Sequence, residues 1–92
     1  MVKKKNIVFI VNPISGTTNK KSIVRHIEEG IDKEKYNTII KYTEYAGHAV
    51  KIAADAVAEG VDIVVAIGGD GTVNEVGRSL IHSNTALGII PC

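Results

Sequence analysis

Two rhythms of apolar residues alternate along this chain, and each change of rhythm predicts a change of element. Ile7–Val11 is an unbroken apolar run rich in β-branched residues, stopped by Asn12-Pro13. It predicts a strand buried on both faces. In Lys20–Glu29 the apolar positions Ile23, Val24 and Ile27 recur at helical spacing, and Gly30 supplies the stop. Thr38–Thr43 alternates and predicts a second strand. Ala49–Glu59 carries Ala49, Val50, Ile52, Ala53, Ala56 and Val57 on one broad helical face, closed by Gly60. Asp62–Ile67 predicts a third strand, Thr72–Ser83 a third helix, and Ala86–Ile90 a fourth strand before Pro91.

The order is βαβαβαβ with short connections. It predicts the α/β class: an open parallel sheet with helices on both faces, flavodoxin- or Rossmann-like, with right-handed crossovers. No repeat, low-complexity stretch or linker divides residues 1–92. The chain stops just after the fourth strand with no closing helix, which predicts a bare edge or face. It reads as the incomplete part of a longer protein.

Composition narrows the picture. A chain of 92 residues buries only ~60–65% of its unfolded surface and is marginal alone. With no Trp and one Phe, the core is aliphatic, as a helix-covered parallel sheet requires. A net charge of +1 gives no general electrostatic case for nucleic acid or for a membrane. Lys3-Lys4-Lys5 reads as a solvated leader to the first strand. The single cysteine, Cys92, allows no disulfide within the chain and fits a reducing, cytoplasmic setting. The apolar run Ile7–Val11 is too short for a signal peptide or a membrane span.

Candidate chemistry lies in the loops that leave the carboxyl ends of the strands. In an open parallel sheet these share one rim, where ligands bind. The first loop, residues 12–18, offers Asn12, Ser15, Thr17 and Thr18 as short polar groups and Gly16 as a free backbone. Such a loop suits an anion, and suits equally a plain turn with an N-cap. It lacks the first glycine and the spacing of a Walker A loop. The second loop runs from Thr43 to Gly47-His48. Its histidine reads either as a phosphate contact from the first helical turn or as a solvent-facing helix start.

The third loop is the most informative. Gly68-Gly69-Asp70-Gly71 follows a strand and opens a helix. Three glycines let a backbone approach a bulky anion, and the residue among them that carries a side chain is an acid. Thr72 and Glu75 also match a capping box, which gives them a purely structural reading. That reading leaves the glycines unexplained. A dinucleotide fingerprint fails twice: Asn74 stands where Gly or Ala belongs, and no acid stands ~20 residues further on.

Taken together, three motifs resemble the catalytic domain of diacylglycerol kinases, sphingosine and ceramide kinases and the bacterial lipid kinases. They are Asn12-Pro13-x-Ser15-Gly16, Thr43 with Gly47-His48-Ala49, and Gly68 through Val76. The resemblance runs nearly end to end. The glycine run alone is also similar to that of NAD kinases and, more loosely, of phosphofructokinases. The resemblance implies ATP-dependent transfer of the γ-phosphoryl group to a lipid hydroxyl such as that of diacylglycerol or a sphingoid base, with Mg²⁺. Residues 1–92 would be the nucleotide-binding N-terminal domain, and a β-rich lipid-binding domain would lie beyond them. The protein would work in the cytoplasm, with transient contact at the inner membrane face.

On this reading the backbone of Gly68, Gly69 and Gly71 and the amide end of the third helix face the ATP phosphates. Thr72 offers a hydroxyl, Asn12, Ser15, Gly16 and Thr43 lie along the nucleotide, and Asn74 contacts adenine or ribose. Asp70 is the catalytic candidate, either as a ligand of Mg²⁺ or as the base for the lipid hydroxyl. A base in the second domain, an NAD kinase-type acceptor, and a non-catalytic nucleotide-binding or regulatory module stay open alternatives.

Overall fold

A computed structural model of the chain describes residues 3–13 and 20–91. The elements are β1 (Lys5–Val11), α1 (Lys20–Gly30), β2 (Tyr36–Tyr42), α2 (His48–Ala58), β3 (Ile63–Gly68), α3 (Asp70–Leu80) and β4 (Ala86–Pro91). All four strands are parallel, in the order β2-β1-β3-β4. The expected α/β fold is present.

The unbroken apolar run of β1 is explained by its central place. Ile7, Phe9 and Val11 face α1 in one core, with Val24 and Ile67. Val8 and Ile10 face the opposite core, built with Ala49, Ile52, Ala53 and Ala56 of α2 and Val76 and Leu80 of α3. Helices therefore cover both faces. The small alanine stripe of α2 lets that helix approach the sheet closely.

Helix ends follow local chemistry. At the end of α2 the amide of Gly60 bonds the carbonyl of Val57, and that of Val61 bonds Ala56. With Gly60 at φ 76° this is a Schellman closure, which only glycine adopts cheaply. At the end of α3, Ile81 turns extended and His82 adopts φ 64°, so the helix stops at Leu80 rather than at Ser83.

β2 begins at Tyr36, earlier than its side-chain pattern indicates, because Lys5 pairs with Tyr36 and the ladder sets the end. The expected bare region lies at β4. Leu87 and Ile89 share the side of Val64 and Ala66 yet are 41% and 49% exposed.

Candidate functional site

The strand order reverses between β1 and β3, and the site is built at that switch point. The ladder runs past the strand ends there. Asn12 N–H donates to Ile67 C=O at 3.0 Å, and Thr43 N–H donates to Val11 C=O at 2.8 Å. Asn12 and Thr43, which open the first two loops, are thereby pinned to the rim where β3 ends. A side-chain bond then ties the first to the third: Asn12 Nδ2 donates to Thr72 Oγ1 at 3.3 Å. Thr72 is buried, and its hydroxyl keeps its own proton for donation.

Thr72 stands in the first turn of α3, not before it. The N-cap is Gly69, and no side chain caps it. The capping box expected from Thr72 and Glu75 is therefore not formed. The helix begins two residues earlier than its apolar pattern indicates, because Asp70 and Gly71 already carry helical backbone.

The three glycines of this turn differ in cause. A Cβ on Gly68 would lie 2.9 Å from Thr72 Oγ1, 3.0 Å from Thr72 Cβ and 3.3 Å from Asn12 Cβ. Gly68 is thus the space that the Asn12–Thr72 pair occupies. Around Gly69 and Gly71 a Cβ would meet nothing within 4 Å, and neither has a positive φ. Nothing in the packing of the described residues, or in the backbone there, requires glycine at these two positions.

A cleft of about 530 Å³ opens beside this turn. That volume falls in the range of small-molecule sites. Asn12, Pro13, Gly71, Thr72 and Glu75 line one side, and Thr43 through Gly47 line the other. The second wall has its own fastening. Gly47 at φ 87° turns the chain into α2, and the His48 ring comes back over the loop. Its Nδ1 accepts the Glu44 N–H at 2.9 Å. The same ring stacks on Tyr45, with centroids 4.3 Å apart and planes 13° from parallel. His48 is therefore neither a free helix start nor among the residues that line the cleft. Its partner is a backbone amide, which sequence spacing does not reveal.

Of the expected site residues, Asn12, Thr43, Gly71 and Thr72 meet in the cleft. Gly68 is buried behind them and Gly69 caps the helix. Asp70 and Asn74 are exposed and do not line the cleft. They sit four residues apart on one face of α3, whereas Gly71 and Glu75 share the face turned to the cleft. Ser15 and Gly16 lie outside the described residues. Sequence reasoning missed Glu44 and Tyr45 and gave Glu75 only a structural part. The place of Glu44 and Tyr45 in a carboxyl-end loop and the i, i+4 relation of Gly71 and Glu75 were the available signals. Among the described residues no three His, Cys, Asp or Glu side chains form a metal cage.

The chain is similar to known proteins along nearly its whole length. The family profile of the diacylglycerol kinase catalytic domain matches residues 6–92. A diacylglycerol kinase of Bacillus subtilis (strain 168) is 33% identical over 92 residues, which are 98% of this chain and 30% of that protein. One from Staphylococcus saprophyticus is 33% identical over 90 residues, 96% of this chain and 30% of that protein. The crystal structure of a diacylglycerol kinase from Bacillus anthracis str. Sterne superposes with a TM-score of 0.74 at 26% identity, covering 99% of this chain and 34% of that one. The chain thus spans about a third of the length of the relatives it matches.

Proposed function

Since the chain belongs to the family of the diacylglycerol kinase catalytic domain, we propose that it is the ATP-binding part of a lipid kinase that phosphorylates a diacylglycerol-like hydroxyl. One observation carries this reading. Among the described residues nothing crowds Gly69, the N-cap of α3, or Gly71, which lines the cleft, so neither needs to be glycine for packing. A backbone left open beside aligned amides suits phosphate oxygens.

Phosphoryl transfer asks mainly for positioning and neutralised charge. The α3 amides and Thr72 hydroxyl hold the phosphates, and Asn12 fixes Thr72 from β1. Thr43 supports the nucleotide from the opposite wall. Asp70, exposed in the first turn of α3, supplies a carboxylate above the rim. It serves either Mg²⁺ or the acceptor hydroxyl. Mg²⁺ usually keeps waters and binds through one or two carboxylates plus substrate phosphates, so the single carboxylate of Asp70 would suffice for an ion that arrives with the nucleotide. When bound, such an ion would neutralise phosphate charge. No helix among the described residues is long and apolar enough to cross a membrane. On this proposal the lipid acceptor is met at a bilayer surface, from the cytoplasmic side.

The test has two parts. Calorimetry on the 92-residue chain, with and without Mg²⁺, should show ATP binding that Asp70→Ala weakens only when Mg²⁺ is present if Asp70 serves the metal. Grafting the chain in place of the matching third of the Bacillus subtilis relative should give a diacylglycerol kinase. In that graft, Asp70→Asn should lower turnover at least ~100-fold with the fold retained. Phosphorylation of NAD and of no lipid would overturn the proposal.

A further inference from the structure

The second wall of the cleft carries a device that the phosphate site does not use. Tyr45 lines the cleft and is 57% exposed, so its ring is accessible to a ligand there. One face of its ring is taken by the His48 imidazole at 4.3 Å, and no second ring of the described residues lies against it. His48 is held in turn, because its Nδ1 accepts the Glu44 amide. That bond requires a lone pair on Nδ1 and hence the proton on Nε2. The backbone adds a further tie, from His48 N–H to Tyr45 C=O at 3.1 Å. A loop of exposed residues is thus braced at both Glu44 and Tyr45 by one side chain. The braced product is a flat aromatic surface across the cleft from Gly71 and Thr72.

We propose that Tyr45 is the stacking platform for the nucleobase and that His48 is the residue that positions it. This rests on the reading of the cleft as a nucleotide site. A nucleoside triphosphate has a charged end and a flat apolar end. The α3 amides and Thr72 address the first, and a pre-oriented phenol ring addresses the second. Stacking accepts any base, since every base has a π-face. Pre-orientation matters because a free tyrosine on a mobile loop would lose rotamer and loop entropy on binding. The imidazole removes that cost before the ligand arrives.

The experiment compares two probes on the full chain, ATP and inorganic tripolyphosphate, both with Mg²⁺, by calorimetry. The parent chain should bind ATP more tightly than tripolyphosphate. Tyr45→Ala should weaken ATP about tenfold and leave tripolyphosphate within about twofold, a size typical of one lost base–aromatic stack. Tyr45→Phe should keep ATP affinity. His48→Ala should behave like Tyr45→Ala. His48→Asn, whose Oδ1 can take the place of Nδ1 as acceptor for the Glu44 amide, should recover part of the lost ATP affinity. A residue that merely held α2 together would change both probes alike, and that outcome would overturn the proposal. So would a Tyr45→Ala chain that binds ATP as the parent does, or a parent that binds the two probes equally. A parent that binds neither probe would remove the nucleotide reading itself, and this proposal with it.

Discussion

The two walls of the cleft are built by different means. The β3–α3 wall rests on the buried Gly68 and Thr72, with Gly68 packed under Asn12 and Thr72. Its shape comes from backbone and packing, and no single exposed side chain holds it. The β2–α2 wall is exposed from Glu44 to Gly47 and is held by one imidazole. The first wall is therefore coupled to the stability of the whole sheet, whereas the second can loosen while the core stays folded. On the proposed function, such a site would keep its phosphate end rigid and concentrate its adjustable contacts at the other end.

Substitutions can break this contrast, beginning with the first wall. Gly68→Ala forces a methyl group against the buried, β-branched Thr72 and against Asn12. Overpacking of this kind costs about 1–3 kcal/mol. For a domain of this size the melting temperature should fall by roughly 5–20 °C in a thermal scan. Unchanged stability would mean that the wall yields more easily than its packing indicates.

Gly71→Ala should separate stability from binding. The added methyl meets nothing within 4 Å and replaces glycine inside a helix. Stability should rise by about 0.5–1 kcal/mol. ATP affinity should nevertheless drop about tenfold, or ~1.4 kcal/mol, because the methyl stands where the ligand approaches. Denaturant titration and calorimetry on the same preparation check both. A variant that gains stability and keeps ATP would mean that the glycine has no binding role.

On the second wall, Gly47→Ala places a side chain at φ 87° with no clash around it. The cost is conformational and should be about 1 kcal/mol. Hydrogen exchange should show the opening confined to Glu44–His48 and the start of α2. Opening that spreads into β1 or β3 would contradict the separation of the walls.

The smallest effect belongs to Lys51→Ala. Its 3.3 Å pair with Asp55 joins two exposed side chains on α2, away from the cleft. Loss of such a pair costs about 0.3–0.5 kcal/mol. ATP binding should not change, which makes it the control for the other variants.

Much of this molecule is legible in the order of its residues. The unbroken run Ile7–Val11, the alanine stripe of α2 and the stops at Gly30 and Gly60 are local signals, and each element they predict is present. The glycine turn is local as well, because its residues are consecutive. The resemblance of the three motifs to the lipid kinase domain agrees with the family match over residues 6–92. Boundaries shifted where hydrogen bonding rather than burial sets them, as at Tyr36 and Asp70.

What tertiary structure alone decided concerns partners far apart in the chain. Placing β1 beside β3 brings Asn12 within 3.3 Å of Thr72, a separation of 60 residues. Only that pairing explains Gly68, and among the described residues no such pairing surrounds Gly69 or Gly71. The helical phase of α3, once its start was fixed at Asp70, turned Glu75 into the cleft and left Asp70 and Asn74 on the neighbouring face. His48 took as its partner a backbone amide, which every residue but proline carries and which sequence therefore cannot distinguish. Periodicity records which face of an element is buried. It does not record what that face will meet, because the meeting is set by strand order and by the free energy of packing the whole sheet at once.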